Sequence, residues 1–306
     1  MPESLRPRRS ALYIPGSNYR GLDKGRSIPA DVLILDLEDA VLPEQKRDAR
    51  SAVAAAVGVH AYGRREVVVR VNGLDTPWIA SDIAAAASSR PDAILVPKIS
   101  RVDDIRRARG ALAAAQAPRE LALWVMIETP LGVLNAQAIA ANALGPGAEI
   151  TAMVIGTNDL SKETGTRIQP GRTLMLPWLT QVLAAGRAFG LAVLDGTHID
   201  LDDMDGFRAE CEQGRDLGMD GKTLIHPKQV PIANEVFAPS PEEIVWARKV
   251  IAAFRAPENA DKAVIMAGGR MLERLHERMA RRILDVANEL RVINSASEGR
   301  ADGPHR

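Results

Sequence analysis

Charged side chains stand directly after short aliphatic runs throughout this 306-residue chain. Val32–Leu35 lead into Asp36, Glu38 and Asp39, and Val67–Val69 into Arg70 and Asn72. Ile94–Val96 lead to Lys98, Trp124–Ile127 to Glu128 and Thr129, and Met153–Ile155 to Asn158 and Asp159. Leu191–Leu194 end in Asp195, and the last run ends near His226. Clustered carboxylates repel one another and resist leaving water, so such run ends need a counter-charge. If the runs converge, they form a ring of carboxylates with two cations, Arg70 and Lys98. Carboxylate oxygens from separate segments suit a hard divalent cation. Mg2+ fits best, because it takes one or two carboxylates and keeps several waters. Of the five histidines only His198 and His226 fall near run ends, without zinc-site spacing.

Each of these residues also has a plainer reading. An acid after a strand often caps the next helix. Glu128 follows a buried run, precedes Thr-Pro and has no cation beside it, which favours a functional role. Asp159 could cap a helix or bind metal. Arg70 could serve an ordinary ion pair or recognise an anion. Lys98 could be a solvated loop residue, and Asp195 a turn residue. Cys211 reads as a small packed side chain.

The elements that must position these groups repeat in a regular way. Eight near-continuous aliphatic runs start near residues 10, 31, 65, 93, 121, 151, 191 and 221, and helix-like segments lie between them. Runs without polar alternation are strands covered on both faces. Eight alternating strand and helix units predict an α/β fold, a closed (β/α)8 TIM barrel, over residues 1–227. An open doubly wound sheet is the competitor, but no early GxGxxG turn favours it. Residues 228–292 read as a C-terminal helical extension without a core of its own. It has helices over 241–254 and 271–290 and a looser stretch over 255–270. Residues 293–306 read as a disordered tail.

Lys+Arg and Asp+Glu both number 39, so the formal charge is zero and nothing points to nucleic acid or an anionic membrane. The single cysteine excludes an intramolecular disulfide. No run approaches a transmembrane helix and the N-terminus lacks a signal-peptide core, so a cytoplasmic setting is expected.

Taken together, RSALYIPG, LDLEDAV, RVNG, VPK, IETPLGVLNA, GTNDL, LDGTHID and DGKTLIHPKQ resemble the citrate lyase β-subunit-like family. That family lies within the HpcH/HpaI aldolase superfamily and includes malyl-CoA lyases. The resemblance spans about residues 9–290, and eight motifs in order make it specific. It implies a Mg2+-dependent barrel, commonly a homotrimer, that makes or breaks a carbon–carbon bond next to a thioester or oxo-acid carbonyl. By position, it implies that Glu128 and Asp159 bind the metal, with Asp36, Glu38 and Asp39 around its waters. Arg70 is implied to meet the substrate carbonyl or carboxylate, and Lys24 to face a phosphate or thioester arm. Lys98 and Asp195 complete the expected substrate-binding set.

The expected reaction is cleavage of a small 3-hydroxyacyl-CoA thioester, of malyl-CoA or citramalyl-CoA type, into an acyl-CoA and an oxo acid. A citryl thioester lyase, an acyl-CoA thioesterase and a non-catalytic oxo-acid-binding homologue are the alternatives. One departure bears on this choice. Where many family members carry a proton-transferring Asp in a DGKM-like turn, this chain has Gly268 in AGGRMLERLH.

Overall fold

The structure is a computed structural model that describes residues 6–145, 147, 149–259 and 261–301, with side chains described as far as residue 293. One compact unit, Arg8–Phe237, is a closed barrel of eight strands in sequential order, all parallel. Its elements in chain order are β1 (Ser10–Pro15), α1 (Tyr19–Lys24), β2 (Val32–Asp36), α2 (Lys46–Gly58), β3 (Glu66–Arg70), α3 (Ile79–Ser89), β4 (Ala93–Val96) and α4 (Val102–Ala114). Then come β5 (Ala122–Ile127), α5 (Pro130–Leu134), α6 (Ala136–Ala140), β6 (Ile150–Ile155), α7 (Thr157–Thr164), α8 (Leu176–Ala188), β7 (Ala192–Asp195), α9 (Met204–Leu217), β8 (Gly221–Leu224) and α10 (Val230–Val236). β1 closes the ring on β8 through Ser10↔Lys222, Ala11↔Thr223 and Leu12↔Leu224.

All eight aliphatic runs form the barrel strands. Successive side chains of a strand face opposite sides, and here both sides are buried. Val32, Ile34, Val68, Leu95, Trp124, Met126 and Val154 fill the interior. Their neighbours Leu33, Leu35, Val69, Ile94, Val125 and Ile155 pack outward against the helices. At the N-terminal end, Arg8 Nε donates to Glu66 Oε2 at 2.6 Å and its guanidinium lies 5.0 Å from the Trp124 ring centre. That plug leaves the C-terminal end of the strands as the open, chemistry-bearing face.

The helix-like segment between β5 and β6 is two short helices. α5 begins at Pro130 under a Thr129 cap, and the chain breaks at Asn135 before α6. Asn135 Nδ2 donates to the Ser100 carbonyl at 2.8 Å, so a tertiary bond fixes the break.

On the outer face lies a buried ionic network. Asp195 accepts from Arg172 Nη1 at 2.9 Å on both oxygens and from Lys222 Nζ at 2.8 Å. Lys222 Nζ also donates to Glu210 Oε2 of α9 at 2.9 Å. Burial alone would raise the Asp195 carboxyl, but Lys222 and Arg172 hold it below its ordinary value. The network ties β7 and β8 to α9 and to the loop that carries Arg172.

The barrel unit runs to Phe237 rather than to 227, because α10 packs on β1, β8 and α9. From Ala238 onward the chain forms a second unit, with α11 (Pro241–Arg255), β9 (Val264–Ala267), β10 (Arg270–Glu273) and α12 (Arg274–Ala301). It has a small core of its own, where a coreless extension was expected: Val250, Ile251, Phe254, Ile265, Leu272 and Ala280. The looser stretch proves to hold a hairpin. Gly268 and Gly269 have φ of +58° and +74°, the left-handed pair that a two-residue hairpin turn requires. α12 continues through 293–301, part of the expected disordered tail; extending a helix already anchored by packing costs little per residue. Residues 302–306 lie outside the described residues.

Replacing Asp195 by Ala leaves the buried Arg172 and Lys222 to share Glu210, and the expected loss is about 3 kcal/mol. A urea-denaturation midpoint equal to that of the parent would show that the network carries no stability.

Candidate active site

Asp36 ends β2 and Arg70 ends β3, and the two are paired in register across adjacent strands. Both continue the inward parity of Ile34 and Val68. Arg70 grips Asp36 with two parallel bonds, Nε to Oδ1 and Nη2 to Oδ2, each 2.7 Å. Its third nitrogen, Nη1, stands 2.9 Å from Glu38 Oε2. The guanidinium also lies 4.7 Å from the Tyr13 ring centre. Burial pushes the Asp36 carboxyl up, but the Arg70 charge and hydrogen bonds outweigh it and hold the group below its ordinary value. Burial likewise opposes the Arg70 charge, and Asp36 overrides it. Neither charge would be tolerable at this depth without the other.

Lys98 joins this pair to the opposite side of the barrel. Its backbone is left-handed, with φ of +57°, a strained conformation for a lysine. From there its N–H donates to Glu128 Oε1 at 2.9 Å, and its Nζ donates to Glu38 Oε1. One residue thus fixes two carboxylates from two strand ends. Glu128, two residues beyond Met126, continues the inward parity of β5 and is fully buried.

Glu128 is the least compensated acid of the group. Its Oε2 is buried and has no hydrogen-bond partner among the described residues. Burial, then the charges of Glu38 and Asp159, push its carboxyl up to about 8, and Arg70 and Lys98 offset only part of this. Asp159 sits in the first turn of α7, directly after Gly156. A side chain at Gly156 would put its Cβ 2.4 Å from Glu128 Cβ and 2.6 Å from Oε2, so only glycine lets β6 approach Glu128 this closely. An orphaned buried carboxylate oxygen beside a second carboxylate is what a hard divalent cation would satisfy. Two protein carboxylates with waters suit Mg2+. Among the described residues no cluster of three or more His, Cys, Asp or Glu side chains is placed to hold a metal.

The strand ends therefore bring together Asp36, Glu38, Arg70, Lys98, Glu128 and Asp159. Asp39 is exposed beside them and acts on Glu38 and Lys98 through its charge. Of the other expected substrate contacts, one stands on the surface and one is placed elsewhere. Lys24, the last residue of α1, is exposed and has no ion pair among the described residues. Asp195 is corrected to the outer network, because it shares the parity of outward-facing Val193. Cys211 is buried, with its thiol pushed up to about 12 by that burial.

Two supporting residues, Lys46 and Tyr13, escaped sequence reasoning, and Asn72, marked there only as a strand-end residue, gains a role. Lys46 is buried and donates to the carbonyls of Leu37 at 2.8 Å and Glu38 at 2.7 Å, which fixes the loop carrying Glu38. Asn72 donates to the Leu37 carbonyl at 2.9 Å and to Asp82 Oδ2 at 2.6 Å. Tyr13 lies under Arg70. Lys46 and Asp82 sit among helical charges and carry no local signal; the inward parity of Tyr13 with Ala11 was visible in the sequence.

Residues 9–227 match the HpcH/HpaI aldolase/citrate lyase family, and the chain belongs to it. It is 45% identical over 296 residues to a (3S)-malyl-CoA thioesterase of Cereibacter sphaeroides, covering 97% of this chain and all of that one. It is 34% identical to an L-malyl-CoA/beta-methylmalyl-CoA lyase of the same organism, covering 88% of this chain and 91% of the lyase. Among solved structures it is similar to CitE from Mycobacterium tuberculosis in complex with magnesium, acetoacetate and coenzyme A. The TM-score is 0.74 with 27% identity, over 93% of this chain and all of that one. The family, the enzymatic character and the barrel agree with expectation. The expected carbon–carbon lyase activity does not: the thioesterase likeness is full-length and well above the likeness to the lyase.

The Glu128 proton has a measurable signature. In metal-free protein at pH between about 4.5 and about 8, the unfolded carboxyl is ionised and the folded one keeps its proton. Stability must therefore fall as pH rises through that window and level off above it. Relative to Glu128→Gln in EDTA, the parent's melting temperature should drop further with each pH step up to about 8. A gap that does not change with pH would mean that Glu128 is ionised in the folded protein.

Proposed function

We propose that this protein is a thioesterase acting on a small 3-hydroxyacyl-CoA thioester of the (3S)-malyl-CoA class. The observation that carries this reading is the 45% identity over the whole length of a (3S)-malyl-CoA thioesterase. The site supports it. Glu128 and Asp159 would hold a Mg2+ ion, the metal of the CitE complex with coenzyme A. When bound, that ion would supply positive charge to a substrate oxygen and to coordinated water.

The chain's own residues would do the rest. Arg70, pinned by Asp36, keeps N–H groups on the outer edge of its fork for a substrate carboxylate or developing oxyanion. Glu38, whose carboxyl is raised by burial against the pull of Arg70 and Lys98, would accept a proton from the attacking water. The new C–O bond forms as the carbonyl pair moves onto oxygen. That pair then re-forms the carbonyl and the C–S bond breaks. The thiolate of coenzyme A takes up the proton held by Glu38, and the hydroxy acid leaves as its carboxylate, its own acid proton passing to solvent. Gly268 is consistent with this outcome, because carbon–carbon cleavage leaves an enolate that must be protonated, whereas hydrolysis leaves none.

The reading includes a homo-oligomer, a trimer by the resemblance, and a cytoplasmic setting. Exposed Met266, Met271, Leu275 and Met279, on the hairpin and first turns of α12, offer an apolar face for a second copy. The one cysteine being a buried thiol suits a reducing compartment. No helix among the described residues is long and apolar enough to cross a membrane.

With (3S)-malyl-CoA and Mg2+, the expected products are free coenzyme A and malate, with no acetyl-CoA or glyoxylate, by mass spectrometry. Acetyl-CoA with stoichiometric glyoxylate would refute the hydrolase reading. Light scattering should give a multiple of the chain mass that falls to one in Met266→Lys/Met271→Lys. A parent that is already monomeric would remove the assembly.

A further inference from the structure

We propose that Tyr13 is a catalytic residue, its phenol donating a hydrogen bond to the thioester carbonyl oxygen as that oxygen gains negative charge. The inference deepens the thioesterase reading and rests on it for the identity of the substrate.

Tyr13 stands near the C-terminal end of β1, on the inner face with Ala11 and Trp124. Its ring supports the Arg70 guanidinium at 4.7 Å, so the phenol is part of the charged cluster. Across the barrel its hydroxyl reaches the Met126 sulfur at 4.0 Å, its only acceptor among the described residues. A thioether is a weak acceptor, and a buried tyrosine hydroxyl ordinarily finds a better one. Met126 Cε and Glu128 Cβ crowd the same face of Gly156, so the phenol points toward the β5–β6 side, where Glu128 holds its orphaned oxygen. Tyr13 as a residue is half-buried, at the strand end that carries the other charged groups.

Packing alone does not account for the hydroxyl. A phenylalanine would support Arg70 equally well and avoid burying an under-bonded O–H. The residue is also suited to donate and not to ionise. Burial, opposed by Arg70 and reinforced by Asp36, Glu128 and Glu38, holds its proton well above the ordinary tyrosine value. In the reaction the phenol gives up no proton. It strengthens one hydrogen bond while the carbonyl pair resides on oxygen, and relaxes when the C–S bond breaks. A donor used this way acts mainly on kcat.

The test compares the full-length parent with Tyr13→Phe, which keeps the ring. In (3S)-malyl-CoA hydrolysis with Mg2+, kcat should fall about 100-fold with KM changed less than about threefold. Mg2+ affinity by calorimetry should not change. A kcat within about threefold of the parent would overturn the proposal. Calorimetric binding of oxalate in Mg2+, whose adjacent anionic oxygens mimic the charged carbonyl, provides a readout without turnover. Its affinity should drop about tenfold in Tyr13→Phe. If the parent hydrolyses no thioester, the thioesterase reading fails on its own and the oxalate titration decides. A drop then upholds the phenol contact, and equal affinity for the two proteins refutes it.

Discussion

The site depends on the bidentate pair between Arg70 and Asp36. It spans neighbouring strands in register, at the depth where the barrel's apolar interior gives way to its charged mouth. An isolated charge there would cost several kcal/mol. Paired, the two become a rigid base on which Glu38 leans from one side and Tyr13 from beneath. Lys98 extends the same logic across the mouth, and its strained backbone fits a residue that must serve Glu38 and Glu128 together.

The compensation is deliberately incomplete. Asp36 is held below its usual carboxylate range and Asp195 likewise, each by two or more cationic contacts. Among the described residues Glu128 receives one hydrogen bond, from a backbone N–H, with the charges of Arg70 and Lys98 offsetting part of its burial, and it is raised to about 8. That contrast separates carboxylates satisfied within the fold from one that is not. A dication between Glu128 and Asp159 would relieve the repulsion that the fold leaves in place.

The same frame accommodates either carbon–carbon cleavage or hydrolysis, because both proceed through negative charge on a carbonyl-derived oxygen. What distinguishes them is the fate of the acyl carbon and the supply of a proton to it. The resemblance to the citrate lyase β-subunit-like family pointed to a lyase, and the full-length likeness to a thioesterase corrects that. Gly268 sits in a turn whose φ favours glycine.

The sequence by itself determined the barrel. Eight aliphatic runs can bury both faces only as parallel strands under helices, and every run formed one. It also marked the strand ends, and with them Asp36, Arg70, Glu128 and Asp159. The hairpin of the second unit was less legible: its glycine pair was visible, but its short strands gave little alternation to read. Tertiary structure decided which strand-end charges share a site. Asp195 follows an odd step from the inward residues of β7 and so turns to α9, whereas Glu128 follows an even one and turns inward. Lys98, Lys46 and Gly156 acquired their roles only when separate loops came within hydrogen-bond or contact distance. Sequence fixes the period of a strand, but the partner across the barrel is set by closure, which no local run of residues encodes.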